Sequence, residues 1–188
     1  MRKAVFLDRD GTINVEKHYL HKIDEFEFLP GVIEGLRLLQ DAGYLLVIVT
    51  NQSGIGRGFY AEEDFIQLND WMLQKLLNKG INIDKVYYCP HLPDAEVDKY
   101  RIDCECRKPK LGMYMQAVKE FDIELNDSFA IGDKLRDCAI CEDTGCSGYL
   151  IAENENPLVI EKVKRGEYHN IEYVDDLLTA ARKIVGGK

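Results

Sequence analysis

No stretch of this chain approaches the roughly 20 consecutive apolar residues that a membrane span requires, so a transmembrane protein is not expected. Positive charge is also scarce. Lysine and arginine number 24 against 33 acidic residues, a net charge of −9. Nucleic-acid binding is driven by cations that neutralise backbone phosphates, so no nucleic-acid partner is expected, and any anionic substrate must meet positive charge concentrated locally. Internal repeats, low-complexity tracts and linkers are missing too. A single domain over residues 1–188 is therefore expected, because one core serves about 100 to 200 residues. The opening Met1-Arg2-Lys3-Ala4 runs straight into an apolar segment without a cleavable signal pattern. A cytoplasmic monomer is the expectation.

What is present is 46% hydrophobic residues in a regular alternation. Short apolar runs rich in β-branched and aromatic residues predict strands at Ala4 to Leu7, Leu45 to Thr50, Lys85 to Cys89, Ser128 to Gly132 and Tyr149 to Ala152. Between them, Val32 to Gln40 repeats at helical spacing and stops before Gly43. Phe65, Leu68, Met72, Leu76 and Leu77 mark a longer helix ended by Gly80. Further helices are predicted over Gly112 to Phe121, after Asp133, and over Val174 to Val185. This βαβ order predicts an α/β fold, a doubly wound, Rossmann-like parallel sheet with helices on both faces. From Pro90 to Pro109 neither period holds, and loops of that length are usually functional or braced.

The first strand runs into Asp8-Arg9-Asp10-Gly11-Thr12, and polar groups at strand C-termini of such a sheet line the ligand crevice. Two carboxylates one residue apart could form a plain solvated turn. Three other strand-end or loop segments make that reading hard to sustain. Thr50-Asn51-Gln52-Ser53-Gly54 offers hydroxyl, amide and backbone donors suited to a phosphate. Arg107-Lys108-Pro109 supplies two cations, and Ile131-Gly132-Asp133-Lys134 brings another carboxylate to another strand end.

Together these segments resemble the haloacid dehalogenase superfamily of phosphotransferases, through DRDGT, the Thr50 motif, Lys108 and GDKLRD. That resemblance implies Asp8 as nucleophile, Asp10 as general acid and base, and Thr50 and Lys108 as phosphoryl stabilisers. It also implies a catalytic magnesium held by Asp8, the Asp10 backbone carbonyl and Asp133, and a sheet without a large cap domain. The chemistry is coherent, since an aspartate carboxylate can form an acyl phosphate and divide one difficult hydrolysis into two transfers.

Cys89, just before the unpatterned interval, and His91, Cys104 and Cys106 inside it make a Cys3His set that suits tetrahedral zinc, in a loop over residues 89–109. In a reducing compartment metal binding or burial is expected ahead of disulfides. Spacing alone leaves zinc and scattered buried cysteines both open. Cys-Pro-His followed by Cys-x-Cys-Arg-Lys-Pro and Gly-Met resembles one branch of the superfamily, the D-glycero-D-manno-heptose-1,7-bisphosphate 7-phosphatases, whose structural zinc loop it matches. The resemblance implies removal of the 7-phosphate of a small phosphorylated sugar, in nucleotide-activated heptose and lipopolysaccharide synthesis. It also implies substrate contacts from Arg9, Glu16, Lys17, His18, Tyr19, Asn51, Gln52, Ser53, Arg107 and Lys134. Histidinol-phosphate phosphatases share the core motifs, and a phospho-accepting receiver domain uses a similar Asp, Thr and Lys. Against the receiver stands Asp10, which speeds the loss of phosphate that a signalling domain must hold. A zinc-bearing interaction module is the third alternative. Cys138, Cys141, Cys146, Tyr87, Tyr88 and Trp71 are expected to pack the core.

Overall fold

A computed structural model describes residues 1–142, 144–151 and 155–186. Its centre is a six-stranded sheet, β1 (Ala4–Leu7), β2 (Leu45–Asn51), β3 (Lys85–Cys89), β4 (Phe129–Gly132), β5 (Ser147–Ile151) and β6 (Ile171–Val174). The strands lie in the order β3-β2-β1-β4-β5-β6 and every pair is parallel. The expected α/β architecture is present, with no helix among the described residues long and apolar enough to cross a membrane.

Side chains on a strand alternate between faces, and the central strands carry apolar residues on both. Ala4 and Phe6 of β1 face one core with Val47 and Val49 of β2, while Val5 and Leu7 face the other with Leu46 and Ile48. The first core is closed by helix α4 (Gly112–Phe121), through Met113, Tyr114 and Ala117, and by α5 (Pro157–Lys164). The second is closed by α1 (Val32–Asp41), α3 (Glu62–Leu77) and α6 (Leu177–Gly186), while the single turn α2 (Ser53–Gly56) follows β2. Val5, Leu7, Leu46 and Ile48 are all fully buried. Truncating such a residue to alanine typically costs about 2–5 kcal/mol, and this burial pins β1 at the sheet's centre.

Several expectations need correction. The last strand, β6, was not foreseen, and Val174 closes it instead of opening the C-terminal helix, which begins at Leu177. Four residues at a sheet edge, with Glu172 exposed, leave little pattern to read. Helix α5 was also missed, although Asn156 caps it by accepting from the Leu158 amide at 2.9 Å and Pro157 occupies its first turn. The segment after Asp133 is a 3₁₀ helix, Leu135–Cys141. Its three-residue period puts Cys138 and Cys141 on one buried side, as core packing required. Cys146 and Tyr87 are buried as expected, Tyr88 and Trp71 pack partly buried against the cores, and Leu77 is exposed. The expected end of the fifth strand at Ala152 lies outside the described residues.

Candidate active site

In this sheet the chain order reverses at β1, where β2 lies on one side and β4 on the other. Ligand crevices form at such switch points, beyond the strand C-termini. Register pairs Leu7 with Ile48 and with Ile131, so the residues that follow, Asp8, Thr50 and Asp133, emerge side by side. A cleft of about 310 Å³ opens there, lined by Asp8, Asp10, Thr50, Lys108, Asp133 and Lys134 among others.

Asp8 leaves the strand with its amide donating to the Ile131 carbonyl at 3.0 Å. The chain must then turn sharply so that Asp10 also faces the cleft. Gly11 makes the turn at φ +81°, and a Cβ on it would meet Asp133 Oδ2 at 2.3 Å. Only glycine suits a position that is both left-handed and crowded.

Lys108 reaches the floor of the cleft and is almost wholly buried. Its ammonium donates to Asp8 Oδ1 at 2.8 Å and to the Val49 carbonyl at 2.6 Å, and forms an ion pair with Asp137 Oδ1 at 2.7 Å. Burial pulls its pKa down, but Asp137 and Asp8 outweigh that and hold it above its ordinary value. Asp8 is raised as well, but for a different reason. Burial first and Asp137 second push its carboxyl up to about 6, while Lys108 opposes them. A role for Asp137 was not among the expectations from sequence. The signal was present as the last residue of GDKLRD, four places after Asp133.

Carboxylate oxygens of Asp8, Asp133 and Asp137 all lie within 4.8 Å of one another. Such crowding of like charge fits a hard divalent cation with oxygen ligands. Asp137 is committed to Lys108 and to the Lys134 amide at 2.9 Å. Asp8 and Asp133 are thus the side chains that would hold magnesium.

Asp10 is held from three directions. Arg9 donates to both its oxygens at 3.0 Å, Asn14 Nδ2 to Oδ1 at 3.0 Å, and Gln52 Nε2 to Oδ2 at 2.9 Å. Arg9 was expected to touch substrate. Instead it is fully buried beneath Asp10, with its guanidinium over the Phe65 ring, and it does not line the cleft. Lys17 is also absent from the lining, its ammonium donating to the Glu25 carbonyl at 2.7 Å.

Glu16, His18, Tyr19, Asn51, Gln52, Ser53, Arg107 and Lys134 do line the cleft. His18 and Tyr19 take positive φ of 48° and 66°, conformations that cost energy in bulky residues. Their backbone presents Tyr19 edge-on to Phe59 at 4.8 Å, forming an aromatic rim. Two further cations, not expected from the sequence, line the cleft, Arg57 and Arg136. Burial lowers the pKa of Arg107, and repulsion from Arg136 and Arg57 adds to the effect. Arg57 Nε and Arg107 Nη1 are buried with no hydrogen-bond partner among the described residues.

The expected zinc ligands converge. Cys89 Sγ lies 3.0 Å from Cys106 and 3.5 Å from Cys104, Cys104 and Cys106 are 3.2 Å apart, and His91 Nδ1 is 3.2 Å from Cys106. A tetrahedral zinc with bonds of about 2.0–2.3 Å needs donors in roughly this spacing. The set therefore fits a closed structural site. The loop is not held by that cluster alone. Leu92, Ala95 and Tyr100 pack with Ile55, Tyr60 and Phe65 into a small third core, and Glu62 accepts from Tyr88 at 2.9 Å and Tyr100 at 2.6 Å.

Residues 3–156 match the family model described as polynucleotide kinase 3 phosphatase. The D-glycero-beta-D-manno-heptose-1,7-bisphosphate 7-phosphatase of Pasteurella multocida is 44% identical over 94% of this chain and 95% of its own length. The Photorhabdus laumondii protein of the same name is 54% identical over 71% of each chain. Among solved structures, the D,D-heptose 1,7-bisphosphate phosphatase of B. bronchiseptica, complexed with magnesium and phosphate, superposes with a TM-score of 0.82 at 30% identity over 99% of both chains. With that coverage, this chain belongs to the D-glycero-D-manno-heptose-1,7-bisphosphate 7-phosphatase family of the haloacid dehalogenase superfamily.

Proposed function

We propose that the chain removes the 7-phosphate of D-glycero-D-manno-heptose 1,7-bisphosphate, acting as one phosphatase unit in nucleotide-activated heptose synthesis. The observation that carries this reading is the charge of the cleft. Arg57, Arg107, Lys134 and Arg136 line it beyond the one cation, Lys108, that sits on Asp8. A single phosphoryl group at Asp8 does not require so many. A substrate with a second phosphate does, since a guanidinium recognises phosphate through charge-assisted hydrogen bonds. Histidinol phosphate carries cationic groups that this wall would repel. A polynucleotide end is disfavoured by the net charge of −9 and by a cleft of small-molecule size. The names of the relatives specify the β anomer, the anomer we assign.

Mechanistically, an Asp8 oxygen attacks the 7-phosphorus as the bond to the C7 oxygen breaks, giving an aspartyl phosphate. Asp10 passes its proton to the departing C7 oxygen, then takes one from the water that hydrolyses the acyl phosphate. Thr50 and Lys108 offer donors to the transferring oxygens. Bound magnesium, held by Asp8 and Asp133 with the Asp10 carbonyl that the family implies, would screen the carboxylates from the phosphate charge. Zinc in the cysteine cluster would brace the segment that carries Arg107 and Lys108.

Steady-state kcat/KM for both heptose bisphosphate anomers and for histidinol phosphate tests the substrate, with Asp8→Asn as the control for mechanism. The β anomer should be preferred, and Asp8→Asn should be folded and inactive. Preference for histidinol phosphate, or turnover by Asp8→Asn, would overturn the reading.

A further inference from the structure

Tyr60 is a buried tyrosine whose hydroxyl is spent on the active site instead of the core. Its Oη donates to Gln52 Oε1 at 2.7 Å. The same Gln52 amide sends one hydrogen to Asp10 Oδ2 at 2.9 Å and the other to Thr50 Oγ1 at 3.0 Å. Gln52 is only 2% exposed, so each of its polar atoms needs a partner inside the protein.

The Asp10 carboxylate, which can only accept, sets which way that amide points, and the phenol donates to the Oε1 that this orientation leaves buried. If the amide were reversed, Oε1 would face the Asp10 carboxylate, acceptor against acceptor. With the NH₂ group directed at Asp10 and Thr50, Tyr60 occupies Oε1. Burial raises the phenol's pKa, so it stays protonated and able to donate.

The ring itself is clamped. His21 stacks on it at 5.0 Å with planes 8° apart, and Gly54 approaches so closely that a Cβ there would meet the ring at 2.2 Å. Nothing in the phosphoryl chemistry assigned above uses Tyr60.

We propose that Tyr60 is a positioning residue for proton transfer by Asp10, acting through the Gln52 amide; this rests on the phosphatase reading of the site. Asp10 already has Arg9 and Asn14 on its other sides. Gln52 supplies the third contact, on Oδ2, and Tyr60 fixes it. Asp10 must protonate an alkoxide when a sugar phosphate is cleaved, but 4-nitrophenolate leaves without such help. Loss of positioning therefore lowers catalysis on the sugar ester selectively. Thr50 acts on the phosphoryl group common to both substrates, so a defect passed to Thr50, or a general structural one, would lower both.

The test is kcat/KM, which reports steps through the first transfer, for heptose 1,7-bisphosphate and 4-nitrophenyl phosphate. It is measured in wild type, Tyr60→Phe, Asp10→Asn and the double variant. Phenylalanine keeps the stacked ring and removes only the hydroxyl, and a thermal melt checks folding. We expect Tyr60→Phe to lose roughly tenfold on the bisphosphate and less than about twofold on the nitrophenyl ester, within the range that general acid catalysis spans. In the Asp10→Asn background it should have no further effect, because the group it positions is gone.

Equal losses on both substrates, no loss on either, or a full additional loss in the double variant would overturn the proposal. If Asp10→Asn itself kept full activity on the bisphosphate, the phosphatase mechanism would fail and this proposal with it. Selective loss in Asp10→Asn without one in Tyr60→Phe would sink the positioning role alone.

Discussion

The side chain of Asn51 holds the backbone of Lys108 from both sides, its Nδ2 donating to the Lys108 carbonyl at 3.1 Å and its Oδ1 accepting from the Lys108 amide at 3.0 Å. Asn51 ends β2 and Lys108 follows the cysteine loop. This pair fastens the loop to the sheet at the point where the ammonium must meet Asp8. Asn51→Asp keeps the shape and the acceptor but sets a carboxylate against a carbonyl. We expect a loss of about 1–3 kcal/mol in urea unfolding and a fall in kcat of roughly 10- to 100-fold from displaced Lys108. Unchanged kcat would show that Lys108 is located by its ion pairs alone.

The raised carboxyl of Asp8 has a consequence for stability. A group whose folded pKa, here about 6, exceeds its unfolded value of 3.8 holds its proton more tightly in the folded state. Its stabilising contribution is complete below the unfolded value and is lost as pH rises through the folded one. Asp8→Asn cannot ionise. In magnesium-free buffer it should match wild type near pH 4 and gain on it in Tm up to pH 7. Thermal melts across that range check the sign, which a growing wild-type advantage would reverse.

For the cysteine cluster we expect about one equivalent of zinc by elemental analysis, removed poorly by dialysis. Cys106→Ser should lose that zinc and melt at least about 10 °C lower, as the loss of a few kcal/mol in a chain this size implies. It should stay folded, because Leu92, Ala95 and Tyr100 still hold the outer loop. Activity should fall with the zinc, since Arg107 and Lys108 directly follow Cys106 in the chain. A fully stable, active and zinc-free preparation would contradict this.

Arg57 and Arg136 should matter for one kind of substrate. Removing either as alanine is expected to raise KM for the bisphosphate about tenfold, the cost of one lost charged contact. The effect on 4-nitrophenyl phosphate, which has no second phosphate, should be under about twofold. Equal changes for both would place these arginines at the transferred phosphate.

Much of the fold was legible because it depends on short-range pattern. The unbroken apolar runs of β1 and β2 describe strands buried on both faces, and the helical spacing of α1 and α4 describes helices that bury one side. The elements that escaped, β6 and α5, are short and lie toward the sheet's edge, where little apolar pattern is needed. Of the site, the strand-end motifs and the four zinc ligands could be read as residue types with characteristic neighbours.

The direction of a side chain is another matter. Arg9 stands between two active-site aspartates in sequence, yet its guanidinium turns inward under Asp10, stacked on Phe65 from α3. Asp137 meets Lys108, and Tyr60 meets Gln52, through packing between separate elements. Sequence alone determined which chemistry this protein carries, because carboxylates, cations and thiolates at strand ends have few other uses together. Tertiary structure decided which groups meet substrate and which hold another group in place, because burial and partner choice depend on contacts that no local pattern encodes.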